Sequence, residues 1–201
     1  MDSARDKNGK TEQEFLRDYD VSKYFRPSVT VDSVLYDVIP GNGLKILLIE
    51  RGGHPFLGLY AFPGGFVESN ESCETAAARE LQEETGITGA RLKQLVTAST
   101  PGRDPRWRNI TVVFCARTCG AVAAIAGDDA AKAKWFSVTR VGGRLRFECD
   151  ADGEAFECGL DIERDAFGMT DLNNTKITER GRLAFDHAKI ISYLFDTVYG
   201  A

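Results

Sequence analysis

Apolar residues in the first half of the chain follow the alternating and short continuous patterns that are typical of β-strands. A run rich in branched residues from 29 to 36 predicts one strand, and the apolar run from 45 to 50 predicts a second. The residues Pro40 to Gly43 between them are typical of a turn, so we expect the two strands to form a hairpin. A short extended segment from 59 to 63 then leads into Gly64, because the residue before a proline favours extended geometry.

The second half of the chain predicts three more strands, a hairpin and a final helix. The strands span residues 91–99, 109–117 and 134–138. Residues 141–177 contain two short apolar segments beside glycine-rich and acidic turns, which predicts a β-hairpin. From Thr178 onward, apolar residues recur at steps of three and four positions, which is the pattern of an amphipathic helix. No repeat or long linker interrupts these elements, so we expect them to share one core.

An acidic helix is predicted directly after the glycine pair that follows the extended segment. Either residue of the pair Ser69–Asn70 can cap its first amides, and Gly86 suits the left-handed position that ends a helix. Glu80, Glu83 and Glu84 stand at positions i, i+3 and i+4, which places three carboxylates on one side of a helical turn. Like charges at this spacing destabilise a helix by about 0.2–0.5 kcal/mol per pair, and clustered oxygens suit a hard cation such as Mg²⁺. For an arbitrary glutamate-rich helix, a solvated face is the commoner explanation.

The spacing of residues around these glutamates resembles the signature of the Nudix hydrolase family. That signature reads G-x5-E-x7-R-E-U-x-E-E-x-G-U, where U is aliphatic, and the chain matches it without a gap. The matching residues are Gly65, Glu71, Arg79, Glu80, Leu81, Glu83, Glu84, Gly86 and Ile87. The resemblance implies an α/β fold, the Nudix α/β/α sandwich, in which a mixed β-sheet lies between helices. It also implies a Nudix hydrolase domain over residues 28–201, preceded by an N-terminal extension over residues 1–27.

The family resemblance implies a metal-dependent reaction at this helix. In that reaction water attacks one phosphorus of a nucleoside diphosphate that is linked to another group, and Mg²⁺, with Mn²⁺ as the alternative, assists. The implied metal ligands are Glu80, Glu83, Glu84 and a backbone carbonyl of Gly64 or Gly65. Arg79 is expected to orient the glutamates through charge-assisted hydrogen bonds. Glu71 is expected to hold Arg79 or a metal-bound water.

The general base that activates the water has two candidate positions in the sequence. Many family members carry it on a loop before a later strand, and Asp128 and Asp129 occupy that stretch here. A loop or capping role is the alternative for both aspartates. Glu83 is the second candidate, because one carboxylate in a crowded cluster can have a raised pKa.

Substrate choice is expected to depend on residues outside the signature. The loop from Pro101 to Arg106 resembles the ADP-ribose pyrophosphatase-like subgroup, and Arg103 and Arg106 suit bidentate phosphate contacts, with surface charge as the alternative. Trp107, next in the chain, departs from the small residue expected there; it can stack on a base or block the pocket. Phe62 is expected to line the pocket or to lie in the core.

The two histidines, His54 and His187, are expected to have structural or solvent-exposed roles. His187 nevertheless lies in a stretch, Leu183 to His187, that resembles the same ADP-ribose-like subgroup.

The predicted function is therefore Mg²⁺-dependent hydrolysis of ADP-ribose or a related nucleoside diphosphate sugar, giving AMP and a sugar phosphate. One alternative is hydrolysis of nucleoside triphosphates or dinucleotides. Another is an ADP-ribose-sensing binding protein without turnover. Such regulators carry an added DNA-binding domain, whereas this chain stops at Ala201, and the intact glutamates favour turnover.

The composition indicates which binding partners and which cell compartment to expect. A length of 201 residues, 43% of them hydrophobic, predicts one globular domain, and the net charge of −5 argues against nucleic acid. No apolar run reaches the length of a membrane span, and the start of the chain is too polar for a signal peptide. Five cysteines without a C-x-x-C pair are typical of reduced thiols in a cytoplasm. The family resemblance implies a homodimer, with the N-terminal extension as an exchanged element.

Overall fold

A mixed β-sheet forms the centre of the protein. The structure is a computed structural model that describes residues 4–120 and 133–200, and ten strands join into one sheet within those ranges. The strands are β1 (Ser28–Ile39), β2 (Gly43–Glu50), β3 (Tyr60–Ala61), β4 (Gly64–Phe66), β5 (Lys93–Ala98), β6 (Asn109–Arg117), β7 (Ala133–Val141), β8 (Arg144–Cys149), β9 (Ala155–Asp161) and β10 (Lys176–Glu179). The helices are α1 (Glu12–Arg17), α2 (Cys73–Thr85) and α3 (His187–Tyr199), and a 3-10 turn spans Val21–Lys23.

The sheet has the strand order β10-β9-β8-β7-β2-β1-β6-β5, with β3 paired to β2 and β4 paired to β1. The pair β1–β6 is parallel and the other recorded pairs are antiparallel, so the sheet is mixed. The predicted first hairpin is confirmed, with Tyr36 opposite Ile46. The hairpin predicted within residues 141–177 is also confirmed, because β8 pairs with β9.

Helices cover both faces of the sheet, as the predicted α/β/α sandwich requires. On one face, Ala76 and Ala77 of α2 pack against Val31 and Phe114. On the other face, the apolar side chains of α3 join the largest hydrophobic cluster, which contains most of the buried residues of the sheet. The α3 side chains in this cluster are Ala188, Ile190, Ile191, Leu194 and Phe195. Each such buried aliphatic or aromatic side chain contributes about 1.5–3 kcal/mol relative to exposure, so both helices are held by burial.

The acidic helix starts two residues later than the predicted caps. Ser72 is the N-cap, and its side chain accepts a hydrogen bond from the Thr75 amide, so neither Ser69 nor Asn70 has that role. Gly86 ends α2 in the left-handed conformation at φ 71°, as predicted. Ser72 caps the helix because it lies directly before the first helical residue, where its hydroxyl reaches the free amides.

The final helix is shorter than the periodic pattern predicted. Residues 176–179 form strand β10, and Leu183 makes an isolated bridge to Tyr60 instead of belonging to the helix. Helix α3 begins only after Asp186, its N-cap residue. The helical spacing of apolar residues extends back to Leu183 because this side chain is also buried, although it lies in a loop.

The N-terminal segment contributes little to this core. Helix α1 is closed by a capping box, in which Thr11 and Glu14 each accept a hydrogen bond from the other's backbone amide, and none of its residues is buried. Within the described ranges, no helix is both long enough and apolar enough to cross a membrane.

Candidate functional site

A cavity of about 230 Å³ opens beside β1 and β4. Its walls come from alternate residues of β1, from β3 and β4, from β6, from the loop at 103–106, from the residue after β2 and from the start of α3. The alternation of β1 explains one wall. Ser33 faces α2, where its hydroxyl donates to the Ala77 carbonyl, whereas Thr30 and Asp32 face the cavity.

The glycine pair brings the acidic helix close to this cavity. A Cβ atom at Gly64 would collide with the Val31 carbonyl, and one at Gly65 would collide with the Glu80 carboxylate. Strand β4 pairs with β1 through Gly64 and Asp32. The two glycines therefore let backbone, glutamate and β1 meet at one edge of the cavity, which no other residue type allows.

Arg79 ties the acidic residues of the signature together. Its Nη2 donates to Glu71 Oε1 at 2.7 Å, and its Nη1 donates to Glu80 Oε1 at 2.8 Å and to Glu83 Oε2 at 3.1 Å. The hydrogen bonds that Arg79 donates to Glu71 and Glu80 raise the pKa of Arg79. The guanidinium thus offsets the repulsion among carboxylates that the sequence concentrates here.

Glu84 is the buried member of the cluster and has no ion pair among the described residues. Its Oε2 accepts a hydrogen bond from the Gly64 amide at 2.8 Å. Burial raises the pKa of Glu84 to about 7, and the charges of Glu80 and Asp32 raise it further, against the opposing effect of that hydrogen bond. A cation placed between Glu80 and Glu84 would offset both the burial of the Glu84 charge and its repulsion by Glu80, so these glutamates fit a divalent metal ion in charge and in chemistry.

The ligands do not already converge. Within residues 4–120 and 133–200, no three Asp, Glu, His or Cys side chains stand in a metal-binding arrangement. Glu80 and Glu83 are bonded to Arg79 instead, and the Glu83 side chain is 57% exposed. An ion at this site therefore has to draw these two side chains away from Arg79. Asp128 and Asp129, the other candidates for the base, lie outside the described residues.

The two predicted phosphate-binding arginines have different surroundings. Arg103 is 5% exposed and forms a bidentate ion pair with Asp186, at 2.9 and 2.7 Å, while its Nη1 bonds Thr111. Asp186 in turn makes no side-chain cap for α3, because Arg103 takes both of its oxygens. Arg106 is half-exposed, pairs with Asp104 and lies over the rings of two phenylalanines, Phe66 and Phe185.

Arg51 is a site residue that the sequence analysis missed. It follows β2 directly and lines the cavity, where its guanidinium lies over the Phe185 ring. Its Nε donates to the Pro55 carbonyl, and it forms no salt bridge with an acidic side chain of the described chain. Burial lowers the pKa of Arg51, and the positive charge of Arg106 lowers it further. The signal available in the sequence was a lone cation at the end of a buried strand.

Phe62 and His187 lie together at the back of the cavity. Their rings stack with centroids 4.5 Å apart, and both side chains are buried. His187 is therefore part of the cavity wall, in agreement with a structural role, whereas His54 lies in an exposed loop. Trp107 is 60% exposed, outside the cavity lining, and contacts the Phe25 ring at 5.8 Å.

Comparison with known proteins identifies relatives of this chain. The NUDIX domain family matches residues 29–155. The ADP-ribose pyrophosphatase of Methanocaldococcus jannaschii is 41% identical over 118 residues, which cover 59% of this chain and 66% of that protein. The chain therefore spans less than two thirds of the length of this relative. Its match to a second relative, the ADPR responsive transcriptional repressor NtrR of Acinetobacter baylyi, covers 44% of that protein's length.

Solved structures show the same architecture. A MutT/nudix family protein from Enterococcus faecalis has a TM-score of 0.72 and 35% identity, covering 94% of this chain and 70% of that one. The NUDIX domain of Shewanella oneidensis NrtR, in its cocrystal structure with ADP ribose, has a TM-score of 0.53 and 35% identity, covering 63% of this chain and 82% of that one. Because the family match extends over more than half of the chain and includes the whole acidic cluster, this chain belongs to the Nudix family.

Proposed function

We propose that this chain uses Mg²⁺ to hydrolyse the pyrophosphate bond of ADP-ribose or a related nucleoside diphosphate sugar, giving AMP and a sugar phosphate. The observation that carries the proposal is the position of the acidic cluster of α2 beside a cavity in which Arg51 forms no salt bridge with any residue that the structure describes. A substrate with a pyrophosphate fits both, since its oxygens bind a metal ion and its charge compensates the arginine. Mg²⁺ or Mn²⁺ would lower the pKa of a bound water and neutralise phosphate charge.

The side chains of the acidic helix have distinct parts in this proposal. Glu80, Glu83 and Glu84 hold the metal ion together with the carbonyl of Gly64. Before an ion binds, Arg79 holds Glu80 and Glu83 beside the site through the hydrogen bonds that it makes to them. Glu83 or Asp129 removes the proton from the attacking water; Glu83 has the exposure that this role needs.

The relatives support the choice of substrate. The archaeal relative is named an ADP-ribose pyrophosphatase, and the Shewanella domain was crystallised with ADP ribose. Binding of ADP-ribose without turnover is the alternative, and the name of the archaeal relative favours turnover. The wall formed by Arg103, Phe185 and Arg106 belongs to the loop and helix start that resemble this subgroup.

The proposed activity is tested by a substrate panel. We expect the purified protein with Mg²⁺ to convert ADP-ribose to AMP and ribose 5-phosphate faster than it converts ADP-glucose, NADH, diadenosine polyphosphates or nucleoside triphosphates. Product analysis by chromatography measures this. A preference for triphosphates contradicts the substrate assignment, and tight binding of ADP-ribose without products assigns the chain to the sensing class. Unchanged turnover in an Asp129→Asn variant leaves Glu83 as the base.

Arg51→Ala is expected to weaken the binding of substrate by about 10- to 100-fold, the effect of losing one charge-assisted hydrogen-bonding group. The KM and the Kd for inorganic pyrophosphate should both increase, because Arg51 is a cation of the cavity that forms no salt bridge within residues 4–120 and 133–200. Arg117→Ala is the matched control, since Arg117 forms its ion pair with Asp37 on the surface. Equal KM values for the two variants would show that Arg51 does not contact the substrate.

We also propose a cytoplasmic homodimer, with residues 1–27 as an extension that packs on a second copy. Exposed apolar side chains of this extension support the proposal, because a monomer leaves them in water. They are Phe15, Leu16, Tyr19, Val21, Tyr24 and Phe25. Light scattering on the full chain and on a variant that lacks residues 1–27 tests it: a monomeric full chain contradicts the dimer, and a dimeric truncated variant contradicts the role of the extension.

A further inference from the structure

Asp32 places a carboxylate in the cavity that has no part in the proposed reaction. Its side chain, on β1, is only 14% exposed and lines the cavity wall. Across residues 4–120 and 133–200, its single ion-pair or hydrogen-bond partner is His187, whose Nε2 lies 3.4 Å from Asp32 Oδ2. Asp32 Oδ1 faces Gly64, where an added Cβ would lie 2.8 Å away, so glycine leaves this oxygen uncovered.

His187 is oriented so that its Nε2 atom faces this carboxylate. Its Nδ1 accepts a hydrogen bond from the Phe62 amide at 3.3 Å, so Nδ1 carries no proton. The ring proton therefore lies on Nε2, on the side of Asp32. The Nε2–H group of His187 is thus directed at Asp32 and holds its carboxylate in place.

Among the described residues, the neighbouring Arg103 forms its salt bridge with Asp186 and none with Asp32. The donors of Arg103 are directed to Asp186 and Thr111. In the proposed function, Arg51 and a metal ion held by the acidic helix would take the phosphates of the substrate, which leaves the carboxylate of Asp32 to contact another part of it. The part of the substrate that reaches Asp32 must therefore be neutral and must donate hydrogen bonds.

The surroundings of Asp32 are polar and suit a sugar more than a base. Thr30 and Thr111 line the same wall, and their hydroxyl oxygens lie 2.7 Å apart. The flat aromatic surfaces that suit a base belong instead to Phe66 and Phe185, which flank Arg106. A carboxylate has two acceptor oxygens side by side, which match the two hydroxyl groups of a ribose.

We propose that Asp32 is a specificity-determining residue that accepts hydrogen bonds from the vicinal hydroxyl pair of a ribose in the substrate, with His187 as its positioning residue. The inference rests on the proposed function, because it takes the ligand to be a nucleoside diphosphate derivative. It assigns the sugar to the wall of β1 and the phosphates to the side of Arg51. ADP-ribose carries two such hydroxyl pairs, and the test separates them.

The test is a calorimetric titration in EDTA, so that binding is measured without turnover. Wild type, Asp32→Asn and the control Asp37→Asn are titrated with ADP-ribose, ADP and inorganic pyrophosphate. Asp37 lies on the same strand outside the cavity and pairs with Arg117. Asparagine at position 32 keeps the shape and can still accept from His187 Nε2, so the fold is retained.

We expect Asp32→Asn to weaken ADP-ribose binding about 10- to 100-fold, the effect of losing hydrogen bonds to a charged group. Pyrophosphate, which has no hydroxyl pair, should bind at least as tightly as to the wild type, because a negative charge has been removed. Asp37→Asn should change neither. A parallel loss with ADP places the adenosine ribose at Asp32, and no loss with ADP places the terminal ribose there.

Two results overturn the inference: unchanged ADP-ribose binding in Asp32→Asn, or an equal loss with pyrophosphate. The proposed function fails separately, when the wild type binds ADP-ribose but does not hydrolyse it with Mg²⁺; the binding comparison then still decides the role of Asp32. A wild type that binds no ADP-ribose overturns both.

Discussion

Glu84→Gln is expected to lose at least about 100-fold in turnover and yet to be more stable than the wild type at pH 8 without divalent metal. The loss of turnover follows because the amide replaces a charged metal ligand. The gain in stability follows because burial raises the pKa of Glu84 from 4.5 to about 7, so the folded protein pays for an ionised carboxylate at pH 8. Glutamine removes this charge, and its carbonyl can still accept from the Gly64 amide.

The sign and the pH range follow from that pKa. The folded protein holds the Glu84 proton more tightly than the unfolded chain, so the stabilisation is complete below pH 4.5 and is lost as the pH rises through about 7. The corresponding free energy is about 3 kcal/mol. The difference in free energy of unfolding between Glu84→Gln and wild type should therefore be greatest at pH 8 and should shrink toward pH 4.5.

Urea unfolding in EDTA at pH 5 and pH 8 measures this difference. Glu148→Gln is the control, since Glu148 is an exposed residue of β8 and should show little change at either pH. Adding Mg²⁺ should stabilise the wild type and not Glu84→Gln. A Glu84→Gln protein that is less stable than the wild type at pH 8 would show that the carboxylate is held by partners other than those described. It would contradict the argument that the buried charge of Glu84 destabilises the fold.

Asp186→Ala is expected to lower the free energy of unfolding by about 3–5 kcal/mol, because it leaves the Arg103 guanidinium buried without a counter-charge. Asp186 is also the residue before the first turn of α3. The substitution therefore removes the ion pair that connects the start of this helix to the loop at 103–106. For a chain of this size the melting temperature should fall by roughly 6–20 °C. Calorimetry or circular dichroism measures the change.

Two further variants distinguish the loss of the buried ion pair from a general effect of removing an aspartate on the free energy of unfolding. Asp150→Ala breaks the exposed pair with Lys45 and should cost at most about 1 kcal/mol. The double variant Arg103→Met, Asp186→Leu should regain most of the stability, because apolar residues of similar size can replace a buried ion pair. Equal effects of Asp186→Ala and Asp150→Ala would mean that the Arg103 pair is not structural.

Sequence patterns were sufficient for most of the strands and for the acidic helix. Alternation and branched residues predicted β1 and β2 with their hairpin, because a strand that buries one face must alternate. The signature predicted the mixed sheet between helices, which the structure and the family match confirm. The predicted length of the final helix was wrong, because Leu183 is buried in a loop at a position that fits the helical period.

The sequence by itself determined the family, the fold and the acidic cluster, because these depend on residues at short and fixed spacings along the chain. Only the tertiary structure decided which charges of the cavity have partners. Arg103 is paired because Asp186, 83 positions later, reaches it, whereas Arg51 meets no carboxylate in the described chain. Asp32 and His187 meet across β1 and α3 in the same way. Such contacts depend on how distant segments pack, and no local spacing encodes them.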